Sequence, residues 1–339
     1  MALSKKQGGV LLGAVAVIAV AGVAVGIGLS GARGSNSDTA TEEQVAQKVQ
    51  FDLTSKNVEG RPHIDPVPEA VAALKESGFS PIEAGKLTVV GTAGAGGAPL
   101  GVTASDDNTT RIGSEADFGA LIAQGLGLEY QQAVTSWADW PLGIQSGKYD
   151  LVTSNVTVTD ERKEVYDFAT YRVDLLGFYV KADSPIEKID GADDISGLKI
   201  VVGSGTNQEE VLLAWNKELE SKGKAPAELV YYDDDSAATL AIQSGRADAT
   251  FGPNATGSFK AKSTGETKLV GTVNGGWPLT AEIAAATKKD NGLIKAVNIV
   301  LNKAIEDGQY QQILQRWGLE AESVESSQIN PPGLPKKSK

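Results

Sequence analysis

From Lys86 the chain alternates between short apolar runs and longer stretches whose apolar residues return every three or four positions. The first pattern suits buried strands and the second amphipathic helices. It predicts a strand over "KLTVVGTA", a helix over "EADFGALIAQGLGL", a strand over "EYQQAV", a helix over "WADWPLGIQSG" and a strand over "YDLVTSN". After Ile189 the order starts again, with "LKIVVGSG" (strand), "NQEEVLLAWNKELESKG" (helix), "AELVYYD" (strand), "SAATLAIQSG" (helix) and "ADATFGP" (strand). Such alternation implies mainly parallel sheets covered by helices. Two runs predict two α/β lobes, and "LTAEIAAATKK" followed by the helical "GLIKAVNIVLNKAIEDG" and "YQQILQRWG" would return the chain to the first. That path crosses between the lobes twice, with a hinge expected near Phe178–Lys181 and Gly271–Trp277. The expected division is therefore a leader over 1–34, a linker with the leading helix "PEAVAALKESGFSP" over 35–85, a first lobe of 86–180 plus 273–320, a second lobe of 181–272 and a tail over 321–339.

One phrase occurs in both runs. Leu142, Ile144, Gly147 and Asp150 of "IQSGKYDLVTSN" and its lead-in reappear at a constant offset as Leu240, Ile242, Gly245 and Asp248 around "IQSGRADATFGPN". In each copy a helix closes on a glycine, a basic residue complements the negative helix end, and a short strand follows. Open α/β sheets bind ligands beyond the carboxyl ends of their strands. Two lobes facing each other would place those ends on one cleft.

The N-terminus adds an address. Lys5 and Lys6 precede an uncharged apolar stretch from Val10 to Leu29, which matches the roughly 20 residues of a membrane-spanning helix. It reads as an uncleaved anchor or as an export signal with Ser30 and Ala32 as the small residues of a cleavage site. Either places the remainder outside the cytoplasmic membrane by the positive-inside rule. With a net charge of -12 the chain is a poor partner for nucleic acid. It has no cysteine, so disulfides, thiolate metal sites and cysteine nucleophiles are excluded, and its single histidine, His63, argues against a histidine-based triad or zinc site. No metal, cofactor or catalytic residue is expected.

The polar residues of "SNVTVTDER" carry the sharpest chemistry. Ser154, Asn155 and Thr157 follow the repeat strand, and Arg162 lies at the start of a predicted helix. Arginine presents a rigid fork of donors that pairs with a carboxylate, and short hydroxyls and amides satisfy the remaining lone pairs; the plain alternative is a surface pair of Arg162 with Asp160 or Glu164. Across the cleft, "GSGTNQEE" puts Gly205, Thr206 and Asn207 at a helix start, whose free N–H groups form an anion site or an ordinary cap. Trp137 offers an aromatic face, while Trp140, Trp277 and Trp317 read as packing residues.

With "KLTVVGTA", "SWADWPLGIQSGKYDLVTSNVTVTDERKEVYDF", "LKIVVGSGTNQEE", "IQSGRADATFGPN" and "KAIEDGQYQQILQRWG" in this order, the chain resembles solute-binding protein family 3, the extracytoplasmic amino-acid receptors of ABC importers. The resemblance covers roughly Lys86 to Leu319. It implies a bilobal, periplasmic-binding-protein-like (type II) fold, a monomer that closes by hinge motion and delivers its ligand to a membrane permease. It also implies that Arg162 grips the ligand's α-carboxylate with Thr206 and Asn207 from the second lobe, and that Trp137 lies against the ligand side chain. Two departures stand out. The family's acid near the end of the first strand is Ala93 here, inside "GTAGAGGAP", and its ammonium-binding aspartate falls at Pro253 of "FGPN". Asn254, Glu282 or Asp235 could replace that acid, or the ligand lacks a free ammonium. The same departures count against an enzyme similar to the cyclohexadienyl dehydratases, which needs a cleft acid. A sensor for a membrane kinase is the other use of such a receptor.

Overall fold

Leu87, Val89 and Val90 of β1 (Lys86–Thr92) are all buried, on both faces of the strand, as a strand between two helix layers must be. The computed structural model describes residues 51–92, 97–232 and 235–336. The Val10–Leu29 stretch and Ala93 lie outside the described residues, as does the side chain of Asp235. No helix among the described residues is long and apolar enough to cross a membrane.

The first lobe contains α1 (Pro68–Glu76), β1, the hairpin β2–β3 (Val102–Thr103, Arg111–Ile112), α2 (Ser114–Gly125), β4 (Glu129–Thr135), α3 (Trp140–Gln145), β5 (Leu151–Thr157) and β6 (Tyr166–Val173). The second contains β7 (Leu175–Lys181), β8 (Lys199–Val202), α4 (Asn207–Ser221), β9 (Glu228–Tyr231), α5 (Asp235–Gln243), β10 (Ala249–Pro253), α6 (Asn254–Thr264) and β11 (Thr267–Asn274). The chain returns to the first lobe through β12 (Glu282–Lys288), α7 (Ile294–Asp307) and α8 (Gln309–Trp317).

The two five-stranded sheets share one plan, β4-β1-β5-β12-β6 and β9-β8-β10-β7-β11. In each, the first three strands run parallel and the last two pair antiparallel. This is the type II periplasmic-binding-protein architecture. Each lobe has its own core, Leu121, Ile122, Val297 and Trp317 being central to the first and Phe178, Trp215, Leu219 and Phe251 to the second. Trp140 is buried among Val156, Tyr166 and Phe168, and Trp277 packs edge-on against Trp215.

The repeated phrase forms the same device in both lobes. Ile144 and Ile242 are buried, and Gly147 (φ +74°) and Gly245 (φ +71°) take the left-handed conformation that ends each helix. Asp150 then donates its N–H to the Thr88 carbonyl (3.0 Å) and accepts the Thr88 N–H on its carboxylate (2.8 Å). Asp248 does the same with Lys199, at 2.8 Å for both bonds. Leu142 and Leu240, by contrast, stay exposed.

Three boundaries differ from the sequence reading. The first crossing lies at Asp174, not at Phe178–Lys181, because Leu176–Val180 already pair with β10 in the second sheet. The leading helix belongs to the first lobe, where Val67, Ala70 and Ala73 join its core. The tail is not free either: Glu322 and Ser327 are buried, Ile329 bridges Ala169, and Leu334 bridges Thr159.

Candidate functional site

The polar end of β5 emerges where the first sheet meets the crossing. Ser154 accepts the Thr92 N–H on its Oγ (3.0 Å) and also bonds the Thr92 hydroxyl, which ties β5 to β1. Asn155 takes a left-handed conformation (φ +53°), which a short amide side chain tolerates. Its N–H donates to Glu115 Oε2 (2.9 Å), and its Oδ1 accepts from Arg172 Nη2 (2.7 Å). Both residues are thus engaged inside the first lobe.

Arg162 opens a single 3-10 turn, Arg162–Glu164. Its N–H is held by Thr159 Oγ1 (3.1 Å), and its Nη1 donates to the Thr157 carbonyl (2.9 Å). The guanidinium carbon lies 5.5 Å from the Trp137 ring centre and 5.9 Å from that of Trp140, so two indoles hold the cation. Asp160 pairs with Lys163 (2.8 Å) and Glu164 with Lys336, so neither forms the surface pair with Arg162. Burial lowers its pKa, with Asp174 acting in the opposite direction. The result is a half-buried cation with no carboxylate within ion-pair distance among the described residues.

Asp174 is the functional group that the sequence reading missed. It is 1% exposed at the first crossing, and its Oδ2 accepts from Thr157 Oγ1 (2.6 Å) and from Asn207 Nδ2 (2.8 Å). One donor belongs to each lobe. The same Asn207 amide reaches the Gly275 carbonyl (3.0 Å) on the returning crossing. Gly275 packs so closely that a Cβ there would come within 1.9 Å of Asp174 Oδ2. Burial pushes the Asp174 pKa up to about 6, against the lowering effects of Thr157, Arg172, Arg162 and Asn207. A signal was present in the sequence: Asp174 is the one acid within the otherwise mostly apolar "TYRVDLLGFYV".

This shift has a sign. Between the ordinary value of 3.8 and about 6 the folded protein keeps a proton that the unfolded chain has lost. Asp174 therefore adds stability at low pH that disappears as the pH rises from about 4 to about 6. The stability of the wild type relative to Asp174→Asn is expected to fall across that window, as read from denaturant midpoints at several pH values. A difference that stays flat would mean that Asp174 titrates like an exposed carboxylate.

The remaining expected residues divide. Asn207 joins the cluster of Trp137, Thr157, Arg162 and Asp174. Thr206 caps α4, its Oγ1 accepting the Glu209 N–H (3.2 Å) and donating to the Gly203 carbonyl (2.7 Å). Asn254 is held within the second lobe, its Oδ1 accepting the Tyr179 hydroxyl (2.8 Å). Glu282 is half-buried on β12, and its Oε2 is buried without a hydrogen-bond partner among the described residues.

Arg162 beside two indoles, its acceptor residue Thr157, and Asp174 bonded to both Thr157 and Asn207 of α4 together make up the candidate site. Residues 89–320 match the profile of the bacterial extracellular solute-binding proteins, family 3. The chain belongs to that family. It is 31% identical over 213 residues to the L-cystine-binding protein TcyJ of Escherichia coli K12, covering 62% of this chain and 76% of that one. It is 27% identical over 270 residues to the arginine-binding protein ArgT of Corynebacterium glutamicum, covering 78% and 84%. Among solved structures, an ancestral arginine-binding protein bound to arginine aligns with a TM-score of 0.58 at 27% identity, over 69% of this chain and 98% of that one. The ancestral amino-acid-binding protein AncCDT-1, a precursor of cyclohexadienyl dehydratase, aligns with a TM-score of 0.58 at 25% identity, over 73% and 98%.

Proposed function

We propose that the protein is the amino-acid receptor of an ABC importer. Arg162 grips the ligand's α-carboxylate, Trp137 flanks its side chain, and Thr157 and Asn207 complete the grip as the lobes close. Asp174 takes the place of the family's ammonium-binding acid. Both of its hydrogen bonds fall on Oδ2, which leaves Oδ1 for a ligand ammonium, and this answers the loss of an acid at Pro253. Ser154 and Asn155 shape the strand end, Thr206 presents the helix start, and Asn254 acts through Tyr179. The observation that carries the reading is the Arg162 cation, positioned by two indoles and a carbonyl yet unpaired with any acid among the described residues. The receptor works as a monomer outside the cytoplasmic membrane, held by or exported through its N-terminal apolar segment, and hands its ligand to a permease. Its relatives named above are binding proteins, and nothing in the proposed site requires a covalent step.

Native mass spectrometry of the purified protein tests this. A retained L-α-amino acid, displaced by an excess of the same compound, is the expected result. A neutral sugar or an inorganic ion in its place would overturn the reading.

A further inference from the structure

Beside Ser154 and against α2 lies a narrow recess with an enclosed volume of about 20 Å³, with Thr92, Gly101, Arg111, Glu115 and Gln132 among its lining residues. Arg111 is 7% exposed. Its Nη1 donates to Thr103 Oγ1 (3.1 Å) and its Nη2 to the Thr92 carbonyl (3.3 Å). These use two of the five donors of a guanidinium, and among the described residues no acid answers the charge. Glu115 is taken by Arg172 and Tyr171, and Asp117 by Arg61, Arg316 and Trp317. Asp107 is taken by Thr109 and Thr110. A cation that is buried at a cost, fixed by two neutral acceptors and open to a cavity is suited to an anionic group that arrives from outside.

Its place along the strand relates that group to the first. Ser154 borders the recess and Thr157, three positions on, carries Arg162, so both arginines are served by the same end of β5. We propose that the mouth of the recess receives the terminal carboxylate of the ligand's side chain and that Arg111 reads it there as a second carboxylate. This rests on the receptor reading above and narrows it: the ligand is an amino acid whose side chain ends in a carboxylate, long enough to bridge the two arginines. The cationic side chain of arginine would meet Arg111 with like charge and is disfavoured. L-cystine has a carboxylate at each end of an extended chain. Its disulfide would meet no thiol here, because the protein has no cysteine.

Isothermal titration of the wild type with L-cystine, L-glutamate, L-glutamine and L-arginine is the first arm. A dicarboxylic ligand is expected to bind at least about 10-fold more tightly than arginine, consistent with a charged hydrogen bond gained on one side and repulsion on the other. The second arm repeats the series on Arg111→Gln. Dicarboxylic ligands are expected to lose about 30-fold in affinity while L-glutamine changes by less than about threefold. Arginine binding as tightly as the dicarboxylic ligands, or Arg111→Gln weakening every ligand alike, would overturn the proposal. The wild-type ranking decides even if the variant fails to fold. If no amino acid binds the wild type, the receptor reading itself falls, which is distinct from amino acids binding without the expected preference.

Discussion

Arg162→Ala is expected to weaken ligand binding by at least about 3 kcal/mol, on the order of 100-fold, because it leaves a desolvated carboxylate without its cation. The effect is large because the arginine is preorganised. Trp137 and Trp140 both lie against the guanidinium and Thr157 fixes one end of its fork, so little side-chain entropy remains to be lost when the ligand docks. Arg162→Lys keeps the charge but loses the planar fork and its contact with the indoles, and is expected to fall between wild type and alanine. Titration calorimetry measures all three. The Thr157 carbonyl also loses its donor in the alanine variant, so a melting curve must accompany the titration. Unchanged affinity in a folded Arg162→Ala protein would remove Arg162 from the site.

Arg172→Met is expected to cost about 3–5 kcal/mol of stability, the range for removing one member of a buried ion cluster. Arg172 is 1% exposed and bonds both Glu115 (2.7 Å) and Glu322. Burial opposes its charge, yet the two carboxylates outweigh this and raise its pKa. Without it, two buried acids face each other across the space it held, and burial already pushes the Glu322 pKa up. For a folded unit of this size the loss corresponds to a drop of the order of 10 °C in melting temperature. Neutralising the acids as well, in the triple variant Glu115→Gln, Arg172→Met, Glu322→Gln, is expected to restore much of the stability. A single variant within about 1 kcal/mol of wild type in chemical denaturation would show that the cluster contributes little.

Hydrophobic spacing revealed the two sheets because their strands are buried and their helices amphipathic. The hinge was harder to see. The stretch from Tyr166 to Lys181 is one strand-like run, and the chain changes sheets inside it at Asp174 without a proline or glycine to mark the turn. Arg162 was legible because its partners Thr157 and Thr159 are close neighbours in sequence. Asp174 stood out only as a lone acid in an apolar run, and its surroundings were not legible, since Asn207 and Gly275 arrive from distant segments. Asn254 stands next to the position of the family acid, yet Tyr179 claims it from the adjoining strand, a contact no linear pattern shows. The tail was misjudged for a related reason. Glu322 and Ser327 are buried through polar bonds to Arg172 and Asn298, so the tail lacks the apolar pattern that marks a packed segment.

The reciprocal brackets that Asp150 makes with Thr88 and Asp248 makes with Lys199 separate carpentry from chemistry. Each fastens a helix-to-strand joint to the parallel strand beside it, at that strand's amino end. Residues at the opposite strand ends can then be rewritten without loosening the frame. That freedom is visible within this one chain, where identical joinery delivers "SNVT" and an arginine in one lobe and a proline in the other. An engineer wishing to retarget the receptor would leave the brackets alone and edit only what they point at.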